Sequence, residues 1–193
     1  SSTRAIGELT YATITAPEIY GYTFVRWVKS AGIELKDGDL LANTTIHVKT
    51  KTRGPYVLTA TYTEDLSSPW YVSGESTAIF GGWGASGRNM QRKTRHSAEK
   101  RFYYTIDATK VINGSTSDSD LEFKIYNSDG DSYRGNSGYW VTRENYQPEL
   151  SSSSGSNMQF RPDAYGTYEF MLDCESPYSE ASPKLTVEFL PKC

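Results

Sequence analysis

Apolar residues occur along this chain in short runs that alternate with polar residues, and clusters of Gly, Pro, Asn, Asp and Ser separate the runs. Such alternation is typical of half-buried β-strands, whereas the period of an amphipathic helix is almost absent. The pattern therefore predicts an all-β protein. The predicted strands cover residues 9–15, 22–28, 44–50, 56–62, 70–73, 102–107, 121–126, 166–174 and 184–190.

One interruption of the strand pattern stands out between Thr63 and Pro69, where polar residues precede a proline. Proline has no backbone N–H and cannot donate to a strand ladder, so the two flanking strand patterns do not continue into each other. A chain of 193 residues is long enough to bury one good core or two modest ones. We predict two modules, residues 1–66 and 67–193.

Composition and charge exclude some classes of binding partner. The formal net charge is −3, so the strong basic field that a phosphate backbone requires is missing. Fifteen Tyr, seven Phe and four Trp exclude a disordered composition and indicate an unusually aromatic surface. Neither a signal-peptide pattern at the start nor an apolar run long enough to cross a bilayer is present. We expect a soluble chain with no nucleic-acid partner and no membrane insertion.

The two cysteines, Cys174 and Cys193, lie at the end of the chain. If residues 166–174 and 184–190 pair as an antiparallel hairpin, Cys174 lies near its loop and Cys193 lies past the opposite end. That separation exceeds the reach of a disulfide unless the tail folds back. The sequence therefore predicts two unpaired thiols.

Metal and catalytic sites are not expected. Asn127, Asp129 and Asp131 alternate around Gly130 as in half of a calcium loop, but no Glu follows at the required distance, which favours an ordinary turn. The basic run around His96 lacks the clustered ligands of a metal site. Glycoside hydrolysis needs a closely spaced carboxylate pair, whereas the acidic residues here cluster in turns. We predict no cofactor, no metal and no enzymatic activity.

Two residues fit the chemistry of sugar binding. A glucose ring has apolar C–H faces and a rim of hydroxyls, so a binder needs an exposed aromatic plane and nearby polar groups. Trp83 lies in Gly81-Gly-Trp-Gly84, where the glycines permit a turn that exposes the indole. The alternative is a Trp folded back over the sheet edge. Lys124 lies between Phe123 and Ile125 in a predicted strand and must project from the opposite face.

The first module resembles the small β-repeat of internalin-like bacterial surface proteins. The resemblance rests on residues 14–27, which contain Gly-Tyr-Thr-Phe-Val-Arg-Trp, and on the alternating closing strand at 56–62. Repeats of this type usually act as spacers. Trp27 is accordingly predicted to be a core residue rather than a ligand platform.

The second module resembles the starch-binding carbohydrate-binding modules of bacterial amylases and amylopullulanases. The matching fragments occur in order along nearly the whole module, at residues 70–83, 102–106, 121–125, 166–173 and 184–188. The resemblance implies an immunoglobulin-like antiparallel β-sandwich in which Trp83 stacks on glucose and Lys124 donates to its hydroxyls. An ordinary outward lysine is the alternative for Lys124.

The same resemblance places a second stacking Trp in the loop after residue 125, where this chain has Tyr133 instead. The departure leaves the second stacking surface open between Tyr133, Tyr139 and Trp140. The candidate partners for sugar hydroxyls are Asn127, Arg134 and Asn136.

The sequence thus predicts a secreted or cell-surface bacterial protein that holds starch-like α-glucans without cleaving them, as part of a larger multidomain surface protein. The alternative is an adhesin module that binds a protein or a different glycan, since aromatic β-modules also mediate protein contacts. Interface aromatics usually lie among apolar residues, whereas the candidates here lie among Gly, Asn, Ser and Asp, which favours carbohydrate.

Overall fold

The computed structural model describes residues 11–48, 54–84, 87–108, 121–135, 148–162 and 164–192. These residues form antiparallel sheets joined by turns, so the prediction of an all-β protein is confirmed. The chain divides into two compact units, Ser1–Asp65 and Leu66–Cys193. Independent folding of each unit remains a prediction, which limited proteolysis across residues 64–69 tests. In the described part of the chain, no helix has the length and apolar character that a membrane span requires.

The first unit contains two small antiparallel sheets, ordered β1-β4-β3 and β2-β5. Their strands are β1 (Tyr11–Thr15), β2 (Tyr22–Lys29), β3 (Ile33–Leu35), β4 (Asn43–Val48) and β5 (Leu58–Glu64).

Trp27 lies at the centre of the small core of the first unit. Trp27 is only 7% exposed, and Ile33 and Ile46 of the same unit are buried as well. The indole N–H donates to the Leu41 carbonyl at 2.9 Å, so the polar atom of this aromatic ring is satisfied inside the unit. The prediction that Trp27 is a core residue is confirmed.

The second unit is a β-sandwich. One sheet has the order β10-β9-β6-β7 with β11 also paired to β9, and the other has the order β13-β12-β8. The strands are β6 (Trp70–Gly74), β7 (Arg88–Asn89), β8 (Arg101–Asp107), β9 (Leu121–Asn127), β10 (Ser132–Tyr133), β11 (Met158–Phe160), β12 (Gly166–Asp173) and β13 (Lys184–Pro191), with a short π-helical turn at Ser76–Phe80.

An aromatic core holds the two sheets of the sandwich together. Phe123 on β9 and Phe170 on β12 lie with ring centroids 5.4 Å apart, and Phe80 stacks on Phe123 at 5.0 Å. All three rings are fully buried. Burying a side chain of this size stabilises a fold by about 1.5–3 kcal/mol, so this cluster accounts for a large part of the stability of the unit.

The strands β12 and β13 form the antiparallel hairpin on which the cysteine prediction depended, with Asp173 opposite Lys184 at its loop end. Cys174 follows directly and is a free, buried thiol. Burial raises the pKa of the Cys174 thiol to about 12, which keeps it protonated at physiological pH. Cys193 lies outside the described residues.

Candidate functional site

The candidate site lies on the outer face of the sheet that contains β6 and β9. Val72 and Ile125 are partners across these two strands, and both are fully buried between the sheets of the sandwich. Because side chains alternate along a strand, the next pair, Ser73 and Lys124, projects from the opposite face. The sandwich core therefore determines which residues this face presents.

The turn that carries Trp83 is an excursion from the edge of this sheet. Gly82 pairs with Gly74 of β6, the chain then leaves the ladder, and it rejoins the ladder where Arg88 pairs with Val72. Gly82 has φ +94°, and its neighbours Gly81 and Gly84 also have positive φ values of 75° and 73°. Residues with a Cβ are strained at such angles, which explains why glycines flank the tryptophan.

Ser73 fixes this turn to the sheet. Its hydroxyl donates to the Gly82 carbonyl at 3.1 Å and accepts from the Gly84 N–H at 2.7 Å. The Gly74 N–H donates to the same Gly82 carbonyl at 3.2 Å. Ser73 is fully buried although it belongs to the outer face, because the turn covers it. Both residues that flank Trp83 are thus held by one side chain.

Trp83 and Lys124 come together on the outer face. The indole is 43% exposed, and the Lys124 Nζ lies 5.9 Å from its ring centroid. This distance is within the range of a cation–π attraction. Within the ranges that the structure describes, no carboxylate lies at ion-pair distance from this ammonium group. The contact of this ammonium group is thus with the indole ring.

Tyr133 is not the second stacking surface. It is only 6% exposed and lies opposite the buried Ile125, on the inner face of the sheet. Its ring packs edge-on against Trp70, with centroids 5.0 Å apart. A residue with so little exposed surface cannot cover a sugar, so this candidate from the sequence is wrong. The other two, Tyr139 and Trp140, lie outside the described residues.

The structure describes two of the three proposed hydroxyl partners, Asn127 and Arg134. The Asn127 side-chain oxygen accepts from the N–H groups of Asp129 and Asp131 at 3.1 and 3.0 Å, so this side chain is engaged in its own turn. Gly130 in this turn has φ +89°, an angle that favours glycine. Arg134 is exposed, and its backbone pairs with Ser151. Asn136 lies outside the described residues.

Tyr71 and Tyr126 are outer-face residues that the sequence prediction missed. They are partners across β6 and β9, next to the Ser73–Lys124 pair, and both are partly exposed. Their rings stack with centroids 5.1 Å apart and planes 15° from parallel. The strand alternation that placed Lys124 outward places Tyr126 on the same face, so the signal was present in the sequence.

The Tyr126 hydroxyl reaches the far end of the Trp83 turn. A Cβ atom built on Gly87 would clash first with the Val72 backbone carbonyl and would lie 2.7 Å from this hydroxyl, so only glycine fits there without a shift. Burial raises the pKa of Tyr126, while a backbone hydrogen bond from Gly87 opposes that rise. The turn is thus anchored at one end by Ser73 and at the other by Tyr126.

Comparison of the chain with protein-family models, with curated proteins and with solved structures finds no match. In the described part of the chain, no group of three or more His, Cys, Asp or Glu side chains could hold a metal ion.

Proposed function

We propose that the second unit binds starch-like α-glucans, such as maltooligosaccharides, amylose and amylopectin, without cleaving them. The observation that carries this proposal is the exposed Trp83 indole on an anchored turn, with the Lys124 ammonium 5.9 Å from its ring centroid. An aromatic plane beside a hydrogen-bond donor is the combination that a pyranose ring requires, with its apolar face and its rim of hydroxyls.

The anchoring of the turn supports a binding role for Trp83. A side chain that stacks on a ligand loses less entropy on binding when its backbone is already fixed. The hydrogen bonds of Ser73 fix both neighbours of Trp83 before any ligand arrives. The resemblance of residues 70–83 and 121–125 to starch-binding modules gives the same two residues the same roles.

A non-catalytic role agrees with what the carboxylates near this face do. Glu75 accepts a hydrogen bond from the Glu122 N–H at 3.0 Å, and Glu122 accepts one from the Asn157 side chain at 3.2 Å. Both carboxylates therefore take part in hydrogen bonds that join segments of the chain. In a retaining glycosidase the paired carboxyl groups must instead face the scissile bond.

The proposed setting is extracellular, with the chain acting as part of a larger bacterial surface protein in which the first unit is a spacer. This setting rests on the resemblance of the first unit to surface-protein repeats. A role for that unit in binding a protein is the second candidate. Four of its aliphatic residues favour this candidate because they are more than half exposed: Leu40 is 63% exposed, and Leu41, Val28 and Val57 are each 52% exposed.

Native electrophoresis in gels containing soluble starch tests the main proposal directly. We expect the protein to be retarded in starch and to migrate normally in gels that contain dextran. The Tyr165→Ala variant is a control and should be retarded in starch like the parent protein. It removes an aromatic residue that is 54% exposed but lies next to the other sheet of the sandwich, where it precedes β12. Equal migration of the parent protein in both gels would overturn the proposal. Release of reducing sugar from starch by the pure protein would overturn its non-catalytic part.

A further inference from the structure

The stacked tyrosines extend the candidate site beyond Trp83 and Lys124. Lys124 and Tyr126 are two positions apart on β9, so their Cα atoms are separated by about 6.6 Å on the same face. Trp83, Lys124 and the Tyr71–Tyr126 pair therefore form one continuous row on the outer face. Such a row is longer than a single pyranose ring.

We propose that the Tyr71–Tyr126 pair is a second ligand-contacting surface, so that this face binds a chain of several glucose units rather than one sugar. The inference rests on the proposed function of Trp83 and Lys124. The tyrosine pair offers partly exposed aromatic rings that are already stacked on each other, so little side-chain freedom is lost when a ligand covers them. Tyrosine hydroxyls can also donate to and accept from sugar hydroxyls.

The position of the pair also links it to the Trp83 turn. Tyr126 lies against Gly87, where the turn returns to the ladder. A ligand that covers both aromatic surfaces would therefore contact two parts of one anchored unit, rather than two independent loops. The Tyr71–Tyr126 surface determines chain-length preference, and Trp83 determines whether any sugar is held.

Isothermal titration with glucose, maltose, maltotriose and maltoheptaose tests this division of roles. For the parent protein, we expect affinity to rise with chain length. Tyr71→Ala should weaken maltoheptaose binding by roughly three- to tenfold, the range of an aromatic contact, while the affinity for maltose changes less than about twofold. Tyr126→Ala should weaken maltoheptaose binding at least as much, and it should also weaken maltose binding because it removes one support of the Trp83 turn. The Tyr165→Ala control should behave like the parent protein.

The Tyr126→Phe variant separates a ligand contact from mere support of the turn. It keeps the ring and removes the hydroxyl that faces Gly87. Under our inference it retains the preference for long chains. If Tyr126→Phe loses the preference for long chains as fully as Tyr126→Ala does, the hydroxyl that supports the turn accounts for the whole effect and the inference is overturned.

Failure of this inference can be told apart from failure of the proposed function. If the parent protein binds maltooligosaccharides but both alanine variants keep its full chain-length dependence, only the second surface is refuted. If the parent binds no α-glucan of any length, the proposed function is refuted and the inference with it. Thermal melts of all variants identify any loss of binding that is caused by unfolding.

Discussion

Among the lysines of the sandwich unit that lie over an aromatic ring, Lys124 and Lys93 do so on opposite outer faces. Lys124 lies 5.9 Å from the Trp83 centroid, and Lys93 lies 4.1 Å from the Tyr103 centroid. Lys93 also forms an ion pair with Glu169, with 2.7 Å between Nζ and Oε1, whereas Lys124 has no such partner among the described residues. A lysine over an aromatic ring thus has a carboxylate partner at one face, whereas at the other face no described carboxylate pairs with it.

The surroundings of Lys93 explain this difference. Glu169 lies directly opposite Glu188 on the paired strands β12 and β13, so two like charges face each other there. The hydrogen bond with Glu169 raises the pKa of Lys93, and the charge of Glu188 adds to that rise. Lys93 thus relieves a repulsion that the fold itself creates. Among the described residues, no carboxylate forms an ion pair with Lys124.

The two aromatic residues beside these lysines, Tyr103 and Trp83, also differ in how their backbones are held. Tyr103 belongs to the strand β8, whose ladder fixes its backbone, and burial raises the pKa of its hydroxyl. Trp83 stands outside the ladder, on a turn that depends on Ser73. An aromatic residue kept outside a sheet by a dedicated turn contributes little to the core, so the turn is better explained by a binding role.

The largest effect is expected from Trp83→Ala. The loss of an aromatic platform should cost about 1.5–3 kcal/mol of binding free energy, which is about a ten- to hundredfold weakening of maltoheptaose binding. Titration calorimetry beside a thermal melt measures it. Tyr103→Ala is the matched control and should leave binding unchanged. Parent-like binding by Trp83→Ala, or a loss that follows only from early melting, would show that the indole is structural.

A smaller effect is expected from Ser73→Ala, which removes the anchor of the turn but not the indole. The Gly84 N–H and the Gly82 carbonyl lose their hydroxyl partner, at a cost of about 1–3 kcal/mol in the free energy of unfolding. Maltoheptaose binding should weaken as well. Ser132→Ala, on the same sheet face, should change stability by less than about 0.5 kcal/mol. Unchanged binding by Ser73→Ala would contradict the role given to the turn.

Lys124→Ala should weaken binding by about two- to twelvefold, since one hydrogen bond of about 0.5–1.5 kcal/mol is lost and water can replace it. Lys93→Ala should leave binding unchanged. Titration of both variants with maltoheptaose directly compares Lys124 with Lys93, which is ion-paired to Glu169. Equal effects of the two substitutions would remove the distinction between the two faces.

The smallest effect concerns stability at alkaline pH. Because the folded pKa of Lys93 is raised above its unfolded value, its contribution is fully present below about pH 10.4 and is lost as the pH rises through the folded pKa. The contribution is under about 1 kcal/mol, since the side chain is 45% exposed. The stability difference between the parent and Lys93→Ala, measured from pH 8 to 11.5, should therefore shrink above pH 10.4. A constant difference would contradict this assignment.

Strand alternation accounts for what could be predicted from the sequence. The longer strands β8, β9, β12 and β13 were predicted to within a residue or so, because each buries every second side chain against the sandwich core. The short strands β3, β7, β10 and β11 were not predicted. They have only two or three residues each, and the pairing with a longer neighbour, rather than their own pattern, produces them.

The candidate site was predicted in part for a similar reason. The outward direction of Lys124 followed from its strand neighbours, and the exposure of Trp83 followed from its glycines. The burial of Tyr133 depends on the register between β9 and β10, which places it opposite Ile125. The turn between those strands determines that register, and alternation within one strand cannot reveal it.

The exposure of Trp83 gives the protein a built-in optical reporter. Of the tryptophans in the described residues, Trp27 and Trp70 are 7% and 2% exposed, against 43% for Trp83. Buried indoles emit at shorter wavelengths and are shielded from acrylamide. In a Trp140→Phe background, quencher-accessible fluorescence would therefore come from Trp83, and a sugar that covers the ring would shift the emission to the blue. The residue that we propose to hold the sugar would report its own occupancy without an attached label.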